Sequence, residues 1–310
     1  MVEKLAIPFF ALGDSVPWFE RQLAFKDRRI RRVARCRGRG LFRLRRRATG
    51  GRDSEPTGIN VTDSTGATTA RQFYVSIPST YDPSTPYRLI FAWHYYSGSA
   101  AALAAVDSGG VSDAATSGDP PPVPGFYGVQ PLLPDAIYVV GQGLPITPGD
   151  ASTSSWTNTN GEDIAFAKAM IAWTESTFCV DPARILSVGM SVGGYMSNTI
   201  GCEMPDVFRA ITVMSGSAPE SACKSHDIAA WMTHGTADTT ISISSDETAR
   251  DQFVADNHCG ATMDPVDPSP CVSYDGCDSG DPVVWCPVEG EGHAIPSFAA
   301  GGIATFFSQF

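Results

Sequence analysis

Residues 56–310 predict an α/β protein with a mainly parallel central sheet and helices on both faces. Two observations carry this. Short continuous apolar runs, such as Tyr87–Trp93 and Ala136–Val140, read as strands buried on both faces. They alternate with longer segments of helical spacing, the pattern of strand–helix–strand units. A third observation, seven cysteines in the same stretch, predicts that the domain is disulfide-bonded.

Along the chain, Arg71–Ile77 alternates and is rich in strand formers until Pro78 stops it. Tyr87–Trp93 is the first fully buried strand. Residues 97–134 are rich in Gly, Ser, Ala and Pro, with Pro120, Pro121 and Pro122 in the middle, and read as a long irregular excursion with a short helix over Ala100–Val106. Ala136–Val140 is a further buried strand. Asp163–Phe178 is helical, with Ile164, Ala167, Ile171 and Thr174 on one side. Strands then follow at Ile185–Gly189, Ala210–Met214, Ile228–Thr233 and Val283–Val288. Helices are expected at Gly193–Cys202, Glu247–Asn257 and Phe298–Phe310. No internal repeat interrupts this order.

The 310 residues carry a formal net charge of −11, and hydrophobic residues make up 43% of the chain. That apolar content supports a packed core. No run of about 18 apolar residues appears, which argues against a membrane-spanning helix. Charge is unevenly distributed. Residues 1–55 hold 15 Lys and Arg against 6 Asp and Glu, a net of +9; residues 56–310 hold the remaining 7 and 27, a net of −20. So acidic a domain is a poor fit to nucleic acid.

Eleven of the arginines fall between Arg28 and Arg47, without a sustained apolar face. Residues 1–55 are therefore expected to lack a packed core, as a disordered segment or as translated non-coding sequence ahead of the true start. A nucleic-acid or targeting arm is the alternative reading. Neither a transit peptide nor a clear signal peptide fits: Glu3, Asp14, Glu20 and Asp27 oppose the first, and Leu5–Leu12 is a short apolar run without a small-residue cleavage site. The domain itself is expected to span 56–310.

No CxxC pair is present, so a zinc site is not indicated. Seven cysteines, few lysines and an acidic surface fit an extracellular protein. From proximity and expected topology, the pairs are Cys202–Cys223, Cys259–Cys286 and Cys271–Cys277, with Cys179 joined to Cys36 or free. Asn60-Val61-Thr62 is an N-glycosylation sequon, consistent with a secreted glycoprotein.

The chemistry is concentrated at Gly189-Met190-Ser191-Val192-Gly193, a Gly-x-Ser-x-Gly motif between a buried strand and a helix. In the α/β-hydrolase fold this turn lifts the serine hydroxyl clear of the backbone at a helix N-terminus, where free N–H groups favour negative charge. A serine is a weak nucleophile without a base, and in this fold the order is serine, acid, histidine. Asp238 follows the strand Ile228–Thr233, and His293 follows Val283–Val288. The catalytic triad is therefore read as Ser191, Asp238 and His293. Asp246 is the competing acid, but reads as a helix N-cap. His226, His234 and His258 read as surface, strand-end and helix-end histidines, and Glu291 as exposed. The oxyanion hole needs two backbone donors. One is the N–H of Val192. The other should come from the loop His94-Tyr95-Tyr96-Ser97-Gly98, from Tyr96 first and Tyr95 second, with His94 bracing the loop.

Taken together, FAWHYYSG (91–98), FYGVQPL (126–132), SWTNTNGEDIAF (155–166), GMSVGGYMS (189–197), FRAITVMSG (208–216), HGTADTTI (234–241), EGHAIP (291–296) and FFSQF (306–310) resemble the secreted fungal feruloyl esterases of carbohydrate esterase family one, related to polyhydroxybutyrate depolymerase-like esterases. The resemblance covers about residues 57–310. It implies an extracellular enzyme that cleaves ferulate and related hydroxycinnamate esters from plant cell-wall polysaccharide, including xylan. Related oxyanion loops open His-Gly, where this sequence has His94-Tyr95.

The expected partner is therefore a feruloylated polysaccharide or oligosaccharide, with no nucleic acid and no membrane, and the expected state is a monomer. The mechanism needs no metal and no cofactor. An acetylxylan esterase, a polyester depolymerase or a non-catalytic wall-binding protein are the alternatives. Trp156, Phe126 and Tyr127 are open between two roles, stacking on an aromatic acyl group and filling a minor core.

Overall fold

The computed structural model describes residues 56–105, 124–219, 223 and 227–310. The expectations for residues 1–55, Pro120–Pro122, Cys36 and His226 lie outside them. Twelve strands run in chain order: β1 (Thr57–Thr62), β2 (Thr68–Ser76), β3 (Tyr87–Trp93), β4 (Ala136–Gly141), β5 (Leu144–Pro145), β6 (Ser154–Ser155), β7 (Val180–Met190), β8 (Ala210–Met214), β9 (Ala229–Gly235), β10 (Met263–Pro265), β11 (Val272–Tyr274) and β12 (Val283–Val288). Among the described residues, five helices of five or more residues accompany them, besides a four-residue turn at Pro124–Tyr127 and a 3₁₀ turn at Ala151–Thr153: α1 (Ala100–Ala104), α2 (Glu162–Thr177), α3 (Val192–Glu203), α4 (Ile243–Asp256) and α5 (Ala299–Phe307).

Ten strands form one sheet in the order β1-β2-β4-β3-β7-β8-β9-β12-β11-β10, and β5 and β6 form a separate small ladder. From β4 to β12 every pairing is parallel. Both flanks are antiparallel. The parallel strands β3, β4, β8 and β9 are buried almost throughout, as a sheet covered on both faces requires. One face, with Leu89, Phe91, Val139 and Ile211, packs in a cluster with Phe166 and Met170 of α2, Met196 and Ile200 of α3 and Phe253 of α4. The other face, with Ile90, Tyr138, Val188 and Trp231, packs with Leu103 of α1 and with Ile303 and Phe307 of α5.

Strand β7 is longer than its apolar run. It begins at Val180, includes Pro182, and shifts register between its pairings with Tyr87 and Leu89. That irregularity is where a proline is tolerated in a strand. Helix α2 buries Ile164, Ala167, Ile171 and Thr174 as its spacing requires. Glu162 and Asp163 lie in its first turn, where negative charge suits the helix dipole. Asp163 is buried and takes Arg71 Nη2 at 2.8 Å, besides the N–H groups of Thr157 and Asn158. This joins β2 to α2 through an ion pair inside the core.

Three disulfides are described: Cys202–Cys223, Cys259–Cys277 and Cys271–Cys286. The first is as expected. The other two correct the pairs Cys259–Cys286 and Cys271–Cys277. The cause is the antiparallel hairpin β10–β11, which the sequence did not reveal. Val272 pairs with Trp285 in the antiparallel ladder of β11 and β12, so Cys271, just before β11, falls directly opposite Cys286. The Gly260 N–H donates to the Asp275 carbonyl, which draws Cys259 toward Cys277. Cys179 is also disulfide-bonded. No helix among the described residues is long and apolar enough to cross a membrane.

Candidate active site

The C-terminal ends of β7, β8, β9 and β12 lie side by side, and the loops that leave them build the site. Met190 pairs with Met214, Met214 with Thr233, and His234 with Pro287. Ser191 follows β7 directly and adopts φ +59°, ψ −124°. A non-glycine residue in such a conformation costs on the order of 1–3 kcal/mol and persists only where its surroundings enforce it. Here they do. A Cβ at Gly189 would collide with the Gly193 carbonyl, and one at Gly194 would lie 2.8 Å from the Gly216 α-carbon. The Ser191 N–H is tied to the Met214 carbonyl at 2.9 Å. Ser191 thus heads α3 with its hydroxyl beside the unpaired N–H groups of the first turn.

His293 Nε2 lies 2.9 Å from Ser191 Oγ, and His293 Nδ1 lies 2.7 Å from Asp238 Oδ2. The three residues assigned from sequence are therefore brought together as a continuous chain. The carboxylate as acceptor at Nδ1 places the ring proton there and turns the Nε2 lone pair to the serine. Strand β8 stands between the strands that carry Ser191 and Asp238, and its loop contributes. Ser215 Oγ donates to the Ala294 carbonyl at 3.3 Å, next to His293. The aspartate and histidine loops are joined by Ala237 N–H to the Glu291 carbonyl and by Gly290 N–H to Thr236 Oγ1, both at 2.9 Å. Gly235 lets them meet, since a Cβ there would collide with the carbonyls of Glu291 and Gly292. Glu291 itself is half-buried, not exposed.

Asp238 Oδ1 accepts the N–H groups of Thr240 and Ile241 at 2.8 and 3.0 Å. Burial works against the charge on Asp238. The His293 hydrogen bond and these two donors outweigh it and hold the carboxyl below its ordinary range.

Asp246 is not an N-cap. Helix α4 starts at Ile243 behind Ser242, which places Asp246 in the first turn, fully buried. It accepts from Asn198 Nδ2 at 3.0 Å and from the Gly216 N–H at 3.1 Å, and it meets His234 Nδ1 at 3.0 Å. His234 stands at the end of β9, as expected, but it also approaches Asp238 Oδ2 at 3.2 Å. Sequence reasoning missed this link because it began α4 four residues too late, at Glu247. His258 is exposed at the end of α4 and pairs with Asp278.

The loop 94–98 lies against the start of α3: a Cβ on Gly193 would collide with the Trp93 carbonyl and crowd that of His94. His94 is buried. Its Nδ1 faces the Tyr95 carbonyl at 2.8 Å and its Nε2 accepts the Gly143 N–H at 2.9 Å. Burial pushes the His94 imidazolium down to about 4, so the ring is neutral near neutral pH and braces the loop as expected. The Ser97 N–H is taken by the Ser154 carbonyl of β6 at 2.9 Å. Trp156, Phe126 and Tyr127 are core. Trp156 donates to the His94 carbonyl and Tyr127 to the Trp93 carbonyl, and all three rings are buried. Through these two hydrogen bonds Trp156 and Tyr127 tie down the end of β3 and the start of the loop 94–98.

The comparisons with known proteins agree with this architecture. The prolyl oligopeptidase family profile matches residues 153–253. The chain is 33% identical to feruloyl esterase D of Neurospora crassa over 78% of this chain and 82% of that protein. An acetyl xylan esterase from Aspergillus awamori superposes with a TM-score of 0.55 at 16% identity, covering 81% of this chain and 99% of that one. A CE1 ferulic acid esterase from Anaeromyces mucronatus, solved with ferulic acid, gives a TM-score of 0.52 at 15% identity, covering 82% and 89%. The fold is that of the α/β-hydrolases, and the chain is a carboxylic ester hydrolase. It belongs to the fungal feruloyl esterase family.

Proposed function

We propose that the protein is a secreted serine esterase that hydrolyses feruloyl and related hydroxycinnamoyl esters of plant cell-wall polysaccharide. The observation that carries this reading is the chain of contacts Ser191 Oγ–His293 Nε2 and His293 Nδ1–Asp238 Oδ2, at 2.9 and 2.7 Å, in a member of this family.

In the reaction, His293 Nε2 takes the Ser191 proton as Oγ attacks the ester carbonyl. Asp238 holds the ring and supports the imidazolium that forms. The N–H of Val192 receives the oxyanion, with the N–H of Tyr96 as second donor. Support for Tyr96 comes from the packing of its loop on Gly193 and from the commitment of Ser97 N–H to Ser154. His293 then protonates the departing sugar alkoxide, and water repeats the cycle on the acyl-enzyme. Support for secretion comes from the disulfides, which persist in oxidising compartments. Asn60, exposed on β1, is available to carry a glycan.

The test is hydrolysis of methyl ferulate, p-nitrophenyl acetate and acetylated xylan by the same preparation. Turnover of methyl ferulate with a higher kcat/KM than the acetyl substrates supports the reading. Acetyl release alone transfers the function to a short-acyl esterase. A folded protein that hydrolyses none of them contradicts it.

A further inference from the structure

We propose that His234 is a permanently charged imidazolium that positions Asp238 and fixes its ionised state, so that the reacting site contains two histidines of different charge joined by one carboxylate oxygen. The ring of His234 is fully buried, and both of its nitrogens face acceptors. Nδ1 lies 3.0 Å from Asp246 Oδ2. Nε2 lies 3.0 Å from the Ile241 carbonyl and 3.2 Å from Asp238 Oδ2. A neutral imidazole keeps a lone pair on one nitrogen, and that lone pair would here point at an oxygen lone pair in the interior. Only the imidazolium, a donor at both nitrogens, satisfies the site. Asp246 Oδ2 already accepts the Gly216 N–H, which marks it as the unprotonated oxygen facing Nδ1. His94 makes the contrast: one of its nitrogens donates to a carbonyl and the other accepts an N–H, as in a neutral ring.

The charged groups around His234 agree with this assignment. Asp246 faces it from α4 and Asp238 from the loop after β9, with the His293 ring beyond Asp238 Oδ2. Its neighbour across β12 is Pro287, and β8 beside it ends at Met214, neither of them ionisable. Burial opposes the charge, but the Asp246 hydrogen bond and charge, the Ile241 carbonyl and the Asp238 charge outweigh it and raise the His234 pKa. A fixed cation at this point favours the ionised Asp238 carboxylate, so Asp238 keeps its charge, and its hold on His293 Nδ1, to lower pH. His234 does not touch substrate; it acts through Asp238. The kinetic part of the proposal rests on the triad reading above, whereas the charge state does not.

Two experiments on the full chain test it. The first is the ring-nitrogen NMR spectrum of wild-type protein labelled with ¹⁵N-histidine, with His234 assigned by elimination from variants of the other histidines. Both His234 nitrogens are expected to carry protons at about pH 7, where an ordinary histidine has already lost most of its charge. A ring with one unprotonated nitrogen at about pH 7 overturns the proposal whether or not the enzyme is active. The second is the pH dependence of kcat/KM for methyl ferulate in His234→Gln. Its acidic limb should move up by about one pH unit relative to wild type. A fall in kcat at every pH with the limb unmoved would reduce His234 to a structural role and overturn the positioning claim. If His234→Gln does not fold, the wild-type spectrum still decides the charge. If wild type hydrolyses no ester, the triad reading fails, and the same spectrum answers for His234.

Discussion

The α-carbon of Gly193 packs directly beneath the Trp93 carbonyl, so closely that a Cβ on residue 193 would collide with it. This contact joins the first turn of α3, which presents Ser191, to the loop that is proposed to supply the second oxyanion donor. It explains the glycine that ends the Gly-x-Ser-x-Gly motif, a feature usually read as a property of the serine turn alone.

Gly193→Ala should therefore separate the two halves of the site. The obstruction is backbone on both sides, and no flexible side chain can yield. We expect kcat/KM to fall by about 10²-fold or more, the scale of losing one oxyanion donor. Gly301→Ala is the control: residue 301 is exposed in α5 with open space around the added methyl. It should leave activity unchanged and stabilise the protein by about 0.5–1 kcal/mol, read from urea midpoints.

The Arg71–Asp163 pair lies in the core with side-chain exposures of 1% and 2%. Asp163→Ala leaves a buried guanidinium without its counter-charge, and releases the N–H groups of Thr157 and Asn158 as well. A destabilisation of about 3–5 kcal/mol is expected in equilibrium denaturation. A change below about 1 kcal/mol would show that water replaces the carboxylate at little cost.

How much of this was legible in the sequence depended on what fixes each feature. Strands β3, β8 and β12 match their apolar runs to the residue, because burial on both faces leaves a continuous signal. Strand β1 was missed. It is a half-exposed edge strand that contains Gly58, and its burial alternates too weakly to read. The β10–β11 hairpin is built from two three-residue strands, β10 exposed and β11 half-buried, too short for a periodic signal, and with it went the pairing of Cys259, Cys271, Cys277 and Cys286. Ser191, Asp238 and His293 were legible because motif and chain order constrain them. The Asp246–His234 contact was not, since it depends on the helix start and on side chains more than ten residues apart.

His94 predicts how stability responds to acid. Its imidazolium is suppressed to about 4 in the folded protein, whereas an unfolded histidine titrates near about 6.5. Between these values the unfolded chain binds a proton that the folded one excludes, so stability falls as pH is lowered through the window. The gap corresponds to about 3 kcal/mol. Comparing wild type with His94→Gln isolates this contribution: the variant should lose about 3 kcal/mol less between about pH 6.5 and about pH 4. Parallel curves would show that His94 accepts its proton as readily folded as unfolded.

The most direct measurement is methyl ferulate hydrolysis by wild type and Ser191→Ala, with circular dichroism showing both folded. The contacts from Ser191 to His293 to Asp238 predict ferulate release by wild type and a loss of about 10⁴-fold or more in the variant. Ferulate release that survives the substitution at a comparable rate would contradict a serine acyl-enzyme, and with it the role assigned to all three residues.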